Sequence, residues 1–524
     1  MNTVAELLHA RAGDDAPGLS FEGRTWSWRE VVAECAIRAA WFGGLRTVDP
    51  GRPVHVGILL DNVPEVLFLI GGAAMSGSVI VALNTTRTAV ELEGDAARAD
   101  CDLIVTEPRH LPTAQDFAHD DLGVVDYESP GYAKLLAGYE GAEPPALAGV
   151  TAETLLMLIF TSGTSGNPRA VRITHRKVVV PGESLAGRML SSDDVLYSPM
   201  PLFHSGAIMA AYAPALACGG RLVIRRRFSA SGLLDDVREH GCTYLHYVGK
   251  ALSYVVAATP GKVDNPLKIA FGNEAAPAEQ KLFGERFGCF VIDAYGSTET
   301  AIALTPDPFG PPGALGKLGP GIKILDPETG AECPPGATGE LVNTSDMGLF
   351  DGYYQEQADD RLRDGMYWSG DYVRADEDGY VFFVGRSLDR LRVDGENFGA
   401  VEVERALDLD GLFAVYGVPD VSAGDQVMLA TTGAFDPAAF AEAVAGLNPK
   451  WAPRYVRVAR ELPVTASNKI LKRALAAEGW RTEDPVWFRP GRDLTYRPMT
   501  PDDVTALREE FARTGRLHLL EGQR

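Results

Sequence analysis

The sequence predicts an α/β protein: a large N-terminal domain of parallel sheets with flanking helices plus a β-barrel-like subdomain, and a small mobile α+β C-terminal domain. Three observations predict it. Short apolar runs alternate with helical stretches through the first 300 residues, the texture turns Gly- and Pro-rich from Pro306, and a second, shorter alternation begins after Arg386. At 524 residues the chain is too long for one ordinary core, and about 150 residues per domain suggests two to four. The boundaries drawn are 1–386 for the N-terminal domain (its barrel-like part about 306–385), 387–390 for a hinge, and 391–524 for the C-terminal domain with a terminal helical extension.

The elements follow in order. "PVHVGILL" precedes an amphipathic run near Pro64, and "SGSVIVALN" precedes "TAVELEGDAARAD", which leads into "CDLIVTE". "RLVIRR" precedes "SASGLLDDVREHGC" and then "TYLHYV"; "LKIAFGN" precedes "AAPAEQKLFGERFG" and then "CFVIDAYG". A strand–helix–strand rhythm of this kind makes parallel sheets with both faces covered, and such sheets bind ligands beyond the carboxyl ends of their strands. Residues 306–342 read as short strands between Gly/Pro turns. After Arg386 come "RLRVDGENF", the helix "AVEVERALDL", strands "FAVYGVP" and "QVMLATTG", the helix "DPAAFAEAVAGL", strand "RYVRVA" and the helical "ILKRALAAEG". The last residues read as an amphipathic helix opened by Thr500 before Pro501.

Composition narrows the function classes. Hydrophobic residues at 46% with 23% charged fit a globular protein, and a net charge of -22 excludes the basic footprint of a nucleic-acid binder. Six single cysteines with no CxxC pair indicate neither a zinc knuckle nor a disulfide framework, and suggest a reduced cytoplasm. The N-terminus lacks the pattern of a signal peptide. Val66 to Leu83 is uncharged and of near-membrane length, but Gly71, Gly72 and Gly77 interrupt it and no aromatic or basic belts flank it. It is read as a buried helix turning into a buried parallel strand, with no transmembrane span.

The stretch "LIFTSGTSGNPRAVRITH", Leu158 to His175, carries most information. An apolar strand runs into small residues whose backbone N–H groups can converge on an anion, with hydroxyls from Thr161, Ser162, Thr164 and Ser165 as further donors. Gly163 and Gly166 allow close approach of a phosphate, and Arg169 is placed to add a cation. It is not a Walker loop, since Pro168 stands where that pattern needs Gly followed by Lys.

"TSGTSGNPR", "DAYGSTET", "YWSGD" and "VGRSLDRLRVDGENF", in this order, resemble the core motifs of the adenylate-forming superfamily of acyl-CoA synthetases, adenylation domains and luciferases. "FGNEAAP", "YVGKALSYV", "VDGENFGAVEVE" and "SNKILKRALAAEGW" resemble its fatty-acid-transport-protein or very-long-chain acyl-CoA synthetase branch, including actinobacterial relatives. The resemblance implies two-step chemistry: a carboxylate attacks the α-phosphate of ATP, releasing pyrophosphate, and a nucleophile then displaces AMP.

It also implies roles for single residues. Thr161, Ser162, Gly163, Thr164, Ser165 and Gly166 would cradle the β- and γ-phosphates, with Arg169 replacing the family's usual Lys. In the segment Tyr295, Gly296, Ser297, Thr298, Glu299, the tyrosine would stack on adenine, Thr298 would touch the α-phosphate and Glu299 would hold Mg²⁺. Gly272, Asn273, Glu274 and Ala275 would line the adenine side and the acyl pocket; Asp371 and Arg386 would grip the ribose hydroxyls. His204 in "PLFHSG" would lie beside the acyl pocket or pack as a core residue. Lys469 would be the catalytic lysine, with Lys472 in reserve, although Asn468 replaces the family's preceding Gly. Gly395 would let the pantetheine arm of coenzyme A pass closely.

Three functions follow from the resemblance. The first is an ATP- and Mg²⁺-dependent acyl- or aryl-CoA ligase using coenzyme A and a small carboxylic acid. The second is a diazotase of secondary metabolism that adenylates nitrite for attack by an arylamine. The third is a nucleotide-binding relative without turnover, favoured by Arg169, Asn468 and Leu388 and opposed by Glu299, Asp371, Arg386 and Lys469. A homodimer is the default assembly.

Overall fold

Apolar runs flanked by helices build two largely parallel sheets. A computed structural model describes residues 1–521 apart from 46–50, 120–121, 147–148, 163–167, 249, 274, 276, 305, 308, 312, 328, 346–347, 358–360, 387–389, 408, 410–411, 423, 464–469, 471 and 492. One sheet runs in the order Gly123–Asp126, Leu103–Thr106, His55–Leu59, Val79–Ala82, Leu155–Ser162, Pro168–Thr174, and only its last pair is antiparallel. The other runs Phe290–Asp293, Ile269–Asn273, Tyr244–Val248, Val195–Ser198, Arg221–Ile224, Pro17–Phe21, Arg24–Ser27, and is parallel except for its terminal hairpin.

The near-membrane run resolves as expected. Helix Pro64–Ser76 is buried from Pro64 to Met75, ends at Gly77 in the left-handed region (φ 76°), and feeds the buried strand Val79–Ala82. The glycines inside it serve helix packing: a Cβ at Gly71 would lie 2.2 Å from Cys35 Sγ, and one at Gly72 would lie 2.6 Å from Arg38 Cβ. Both neighbours belong to helix Trp28–Gly43, whose backbone can therefore approach closely. Between the two helices Arg38 grips Glu65 through two bonds of 3.0 and 2.6 Å, so this buried pair has its hydrogen bonds made. Among the described residues no helix is long and apolar enough to cross a membrane, and all six cysteines are unpaired.

The Gly/Pro-rich region folds into an antiparallel sheet, ordered Ala314–Lys317, Tyr380–Arg386, Met366–Ala375, Thr338–Asn343, Ile322–Leu325, with Leu362–Arg363 pairing Met366–Ala375. Register shifts at Ala314/Gly316, Glu340/Val342 and Tyr372/Val373 add curvature. The end strands do not pair with each other among the described residues, so the barrel-like region is an open sheet.

The C-terminal part has a hairpin, Arg390–Val393 with Glu396–Gly399, and a five-stranded sheet ordered Phe413–Pro419, Asp425–Thr431, Tyr455–Val458, Val486–Phe488, Arg497–Pro498. Its apolar clusters draw on residues from Leu391 to Leu520, whereas the main cluster of the preceding part draws on Val4 to Val381. Of the hinge expected over 387–390, residues 387–389 lie outside the described residues and Arg390 opens the hairpin strand. The terminal helix Pro501–Arg513 opens as expected: Thr500 and Asp503 form a reciprocal capping box. Its Phe511, 1% exposed, packs 6.3 Å from the Trp480 ring, so this helix covers one side of the C-terminal core. Phe511→Ala should lower the stability of that part by about 3–5 kcal/mol, which denaturant unfolding followed by Trp480 fluorescence would measure.

Candidate active site

The loop expected to cradle phosphates joins two paired strands. Leu155–Ser162 and Pro168–Thr174 lie antiparallel, with Thr161 opposite Arg169 and Ser162 opposite Pro168. Gly163, Thr164, Ser165 and Gly166 lie outside the described residues, and of Ser162 only the backbone is described. Arg169 is buried; its guanidinium lies 3.5 Å over the Tyr353 ring, and its Nε lies 3.2 Å from Glu356 Oε2. In this structure the guanidinium charge is thus engaged by an aromatic face and a carboxylate.

The segment after strand Phe290–Asp293 comes up against this hairpin. Glu299, 6% exposed, accepts hydrogen bonds on Oε1 from Thr161 Oγ1 at 3.4 Å and Tyr353 Oη at 3.1 Å. Its Oε2 accepts none among the described residues, which leaves an oxygen free for a hard cation. Thr298 Oγ1 is 3.2 Å from Ser205 Oγ. Ser297 ends the approach to a tight turn: Thr300 N–H donates to the Ser297 carbonyl at 3.1 Å, and Thr300 has a φ of 56°. Gly296 faces open space.

Tyr295 Oη donates to Asp371 Oδ2 at 2.6 Å. Asp371, 4% exposed, is the register partner of Arg386 across two antiparallel strands; of Arg386 only the backbone is described. Three expected nucleotide-binding positions therefore come together from two different sheets. Gly272 is forced by its neighbour: a Cβ there would meet the Tyr247 carbonyl at 2.1 Å. Tyr247 Oη and the Ala275 N–H both donate to Asp293 Oδ1, at 2.9 and 3.3 Å, fixing the strand ends. Asn273 Oδ1 is buried without a partner among the described residues, and Glu274 lies outside them.

His204 packs against Phe203 with ring centroids 4.5 Å apart. Burial pushes its pKa down to about 4, opposed by the charge of Glu396. Glu396 and Gly395 belong to the C-terminal hairpin, which lies against strand Leu155–Ser162. Gly395 has a φ of 80° and turns toward Val248. Glu396 Oε1 accepts from Thr86 Oγ1 at 3.0 Å and from Lys450 Nζ at 2.9 Å, tying the hairpin to the N-terminal part. Lys469 lies outside the described residues. Lys472 is paired with Glu404 at 2.9 Å inside the C-terminal part.

Several residues here were not singled out from sequence. Tyr353, Thr86, Lys450 and Lys177 reach the site only through folding. Glu396 and Ser205 were within reach, since both stand inside quoted motifs. A second acidic group, Asp61, Glu107 and His110, has ligand atoms within 4.8 Å of one another. Arg227 pairs with Asp61 at 2.7 Å and Arg226 with Glu107 at 2.9 Å, so this is an ion-pair network whose charge is already matched.

The family model for AMP-binding enzymes matches residues 8–354. The chain belongs to the AMP-binding enzyme family. It is 45% identical over 502 residues to a medium/long-chain fatty-acid–CoA ligase of Mycobacterium tuberculosis, covering 93% of this chain and 98% of that one. It is 41% identical to a steroid-22-oyl-CoA synthetase of Rhodococcus jostii over 99% of both chains. At 29% identity it is similar to the human long-chain fatty acid transport protein 5, over 90% of this chain and 77% of that one. In fold it is similar to o-succinylbenzoate-CoA synthetase of Bacillus subtilis, with a TM-score of 0.75, 21% identity and coverage of 91% and 98%. The AMP-binding reading of the four motifs and its transport-protein branch agree with these findings. They give no support to the nitrite-adenylating alternative.

Three histidines of this AMP-binding enzyme, the buried His175 and His246 and the half-buried His204, are held by desolvation at about 4. The unfolded chain, near 6.5, takes up these protons first, so stability is full above that value and falls as pH drops toward 4. For the fully buried His246 the loss should reach on the order of 3 kcal/mol. Urea unfolding at pH 7.5 and 5, with His246→Leu showing the shallower pH slope, checks this.

Proposed function

We propose that this enzyme is an ATP-dependent, adenylate-forming acyl-CoA ligase whose acid is large and apolar, of the fatty-acid or steroid side-chain class. The observation that carries the reading is the convergence of Tyr295 and Asp371, 2.6 Å apart, with Thr298, Glu299 and Thr161 at one junction. The relatives' names support the acid class, and the Phe203 and Val248 side chains beside His204 and Gly395 are apolar walls suited to it.

In the first half-reaction an acid carboxylate attacks the α-phosphorus and pyrophosphate leaves. Two anions must meet, so the residues have to orient them and offset their repulsion. Tyr295 holds the adenine side, and the Asp371 carboxylate accepts the ribose hydroxyls. Thr298 and Ser205 offer hydroxyls to the reacting phosphate, and the hydroxyls and N–H groups of residues 161–166 hold the leaving pyrophosphate. Glu299, with Oε2 free of protein donors among the described residues, would hold Mg²⁺, a cation that would supply positive charge to the phosphates. Lys469 would add an ammonium when the C-terminal part turns. In the second half-reaction the hairpin carrying Gly395 and Glu396 guides the coenzyme A thiol past Val248 toward the acyl-adenylate.

ATP–pyrophosphate exchange across long-chain acids, steroid acids, aryl acids and nitrite tests the reading. Exchange with the apolar acids, and thioester on adding coenzyme A, is expected; exchange with nitrite alone would overturn it. Asp371→Ala should raise KM for ATP about tenfold to a hundredfold, the worth of hydrogen bonds to a charged group. Glu396→Ala should slow thioester formation about tenfold while leaving pyrophosphate exchange unchanged, since it loosens only the hairpin.

A further inference from the structure

A charged residue that none of the preceding steps uses lies directly behind the metal-binding candidate. Lys177, in the first turn of helix His175–Met189, is 0% exposed. Its Nζ donates to the Glu299 carbonyl at 2.8 Å and to the Arg172 carbonyl at 3.3 Å, and lies 5.7 Å from the Phe350 ring centroid. Burying an ammonium is costly unless hydrogen bonds and opposite charges offset it. Two carbonyls, the Glu299 and Asp351 carboxylates and an aromatic face supply that here, against the neighbouring Arg176. Desolvation works against the charged form, and these partners offset it in part.

The carbonyl that Lys177 grips belongs to the peptide unit entering Thr300, which has a φ of 56°. A non-glycine residue in that region costs on the order of 1 kcal/mol or more and persists only where its surroundings over-determine it. Among the described residues the backbone of this turn is further held by hydrogen bonds to its own residues and by Leu349 N–H on the Thr300 carbonyl at 3.1 Å, while Ser205, Thr161 and Tyr353 hold the Thr298 and Glu299 side chains. Lys177 therefore pins, from outside the turn, the backbone that aims Glu299 at Thr161 and Tyr353.

We propose that Lys177 is a positioning residue for the adenylation half-reaction: it fixes the Glu299 carboxylate in its cation-holding orientation and, by its charge, sets how strongly that carboxylate attracts Mg²⁺. This rests on the ligase reading, in which Glu299 acts on the metal–nucleotide. The relation has a direction. The ammonium holds the Glu299 main chain while Thr161 and Tyr353 hold its carboxylate, so loss of Lys177 loosens the backbone behind the carboxylate and removes a positive charge that partly offsets its pull on a cation.

The test measures ATP–pyrophosphate exchange against Mg²⁺ concentration for wild type, Lys177→Met and Lys177→Gln, alongside thioester formation from supplied acyl-adenylate and coenzyme A. Lys177→Met should lower exchange kcat about a hundredfold, the scale of a misplaced reacting group, and shift the Mg²⁺ requirement, while thioester formation is unchanged. Lys177→Gln keeps a donor without the charge and should recover part of kcat but not the wild-type Mg²⁺ dependence. Exchange and Mg²⁺ dependence unchanged in Lys177→Met would overturn the proposal. So would a parallel fall of both half-reactions with the melting temperature in the two variants, which marks a purely structural lysine. Absence of acid-dependent exchange in wild type is a separate result: it removes the ligase reading itself and the proposal with it.

Discussion

A carboxylate buried where three sheets meet is the constraint from which the rest of the site follows. Glu299 emerges beyond the edge strand Phe290–Asp293 of one parallel sheet and receives Thr161 from the end of a strand in the other. Tyr353, its second donor, is itself bridged in antiparallel fashion to Val171, in the segment between strands Thr338–Asn343 and Leu362–Arg363 of the antiparallel sheet. Asn343, on a strand of that sheet, donates to the Ala301 carbonyl at 2.8 Å and so fastens the chain just past the turn. A carboxylate at 6% exposure is tolerable only with its partners in place, so the three sheets cannot shift relative to one another without leaving it unsatisfied. The proposed nucleotide site and the packing of the domain thus depend on the same hydrogen bonds.

Much of this was legible because it is local. Period and turn chemistry are written in consecutive residues, so the alternation through the first 300 residues, the Gly77 break and the Thr500 cap could be read directly. The four motifs are local as well, and they located Tyr295, Glu299 and Asp371 before any strand was placed. The partners of these residues were not legible. Tyr353 is 54 residues from Glu299 and Lys177 is 122 away, and nothing in "RITHRKVVV" marks its lysine as bound for a carbonyl in a distant turn.

Arg169 illustrates the limit from the other side. Its place after the loop suggested a phosphate cation, but sequence gave no warning of the Tyr353 face that takes its guanidinium. The barrel-like expectation had a similar fate. Gly/Pro turns and short strands announce a curved antiparallel sheet, while closure depends on whether the two end strands meet, and that is a property of the whole set of registers.

Charge explains why such a site is built from hydroxyls and amides. With a net charge of -22 the chain offers a triphosphate no long-range attraction, and beyond about 8 Å at physiological salt such fields are screened in any case. Attraction must come from within a few ångströms. Many arginines of the N-terminal part are already matched, as in Arg38 with Glu65, Arg52 with Asp102, Arg225 with Asp236, Arg226 with Glu107 and Arg227 with Asp61. A matched pair contributes little field at a distance. In the proposed reaction, neutral donors fixed on strand ends cost no charge burial, hold their orientation before the nucleotide arrives, and would leave net compensation to a divalent cation and to Lys469. On the proposed reading the buried Glu299 carboxylate, whose Oε2 accepts no hydrogen bond among the described residues, lets a strongly acidic chain turn negative charge into attraction for another anion through the divalent cation it would hold.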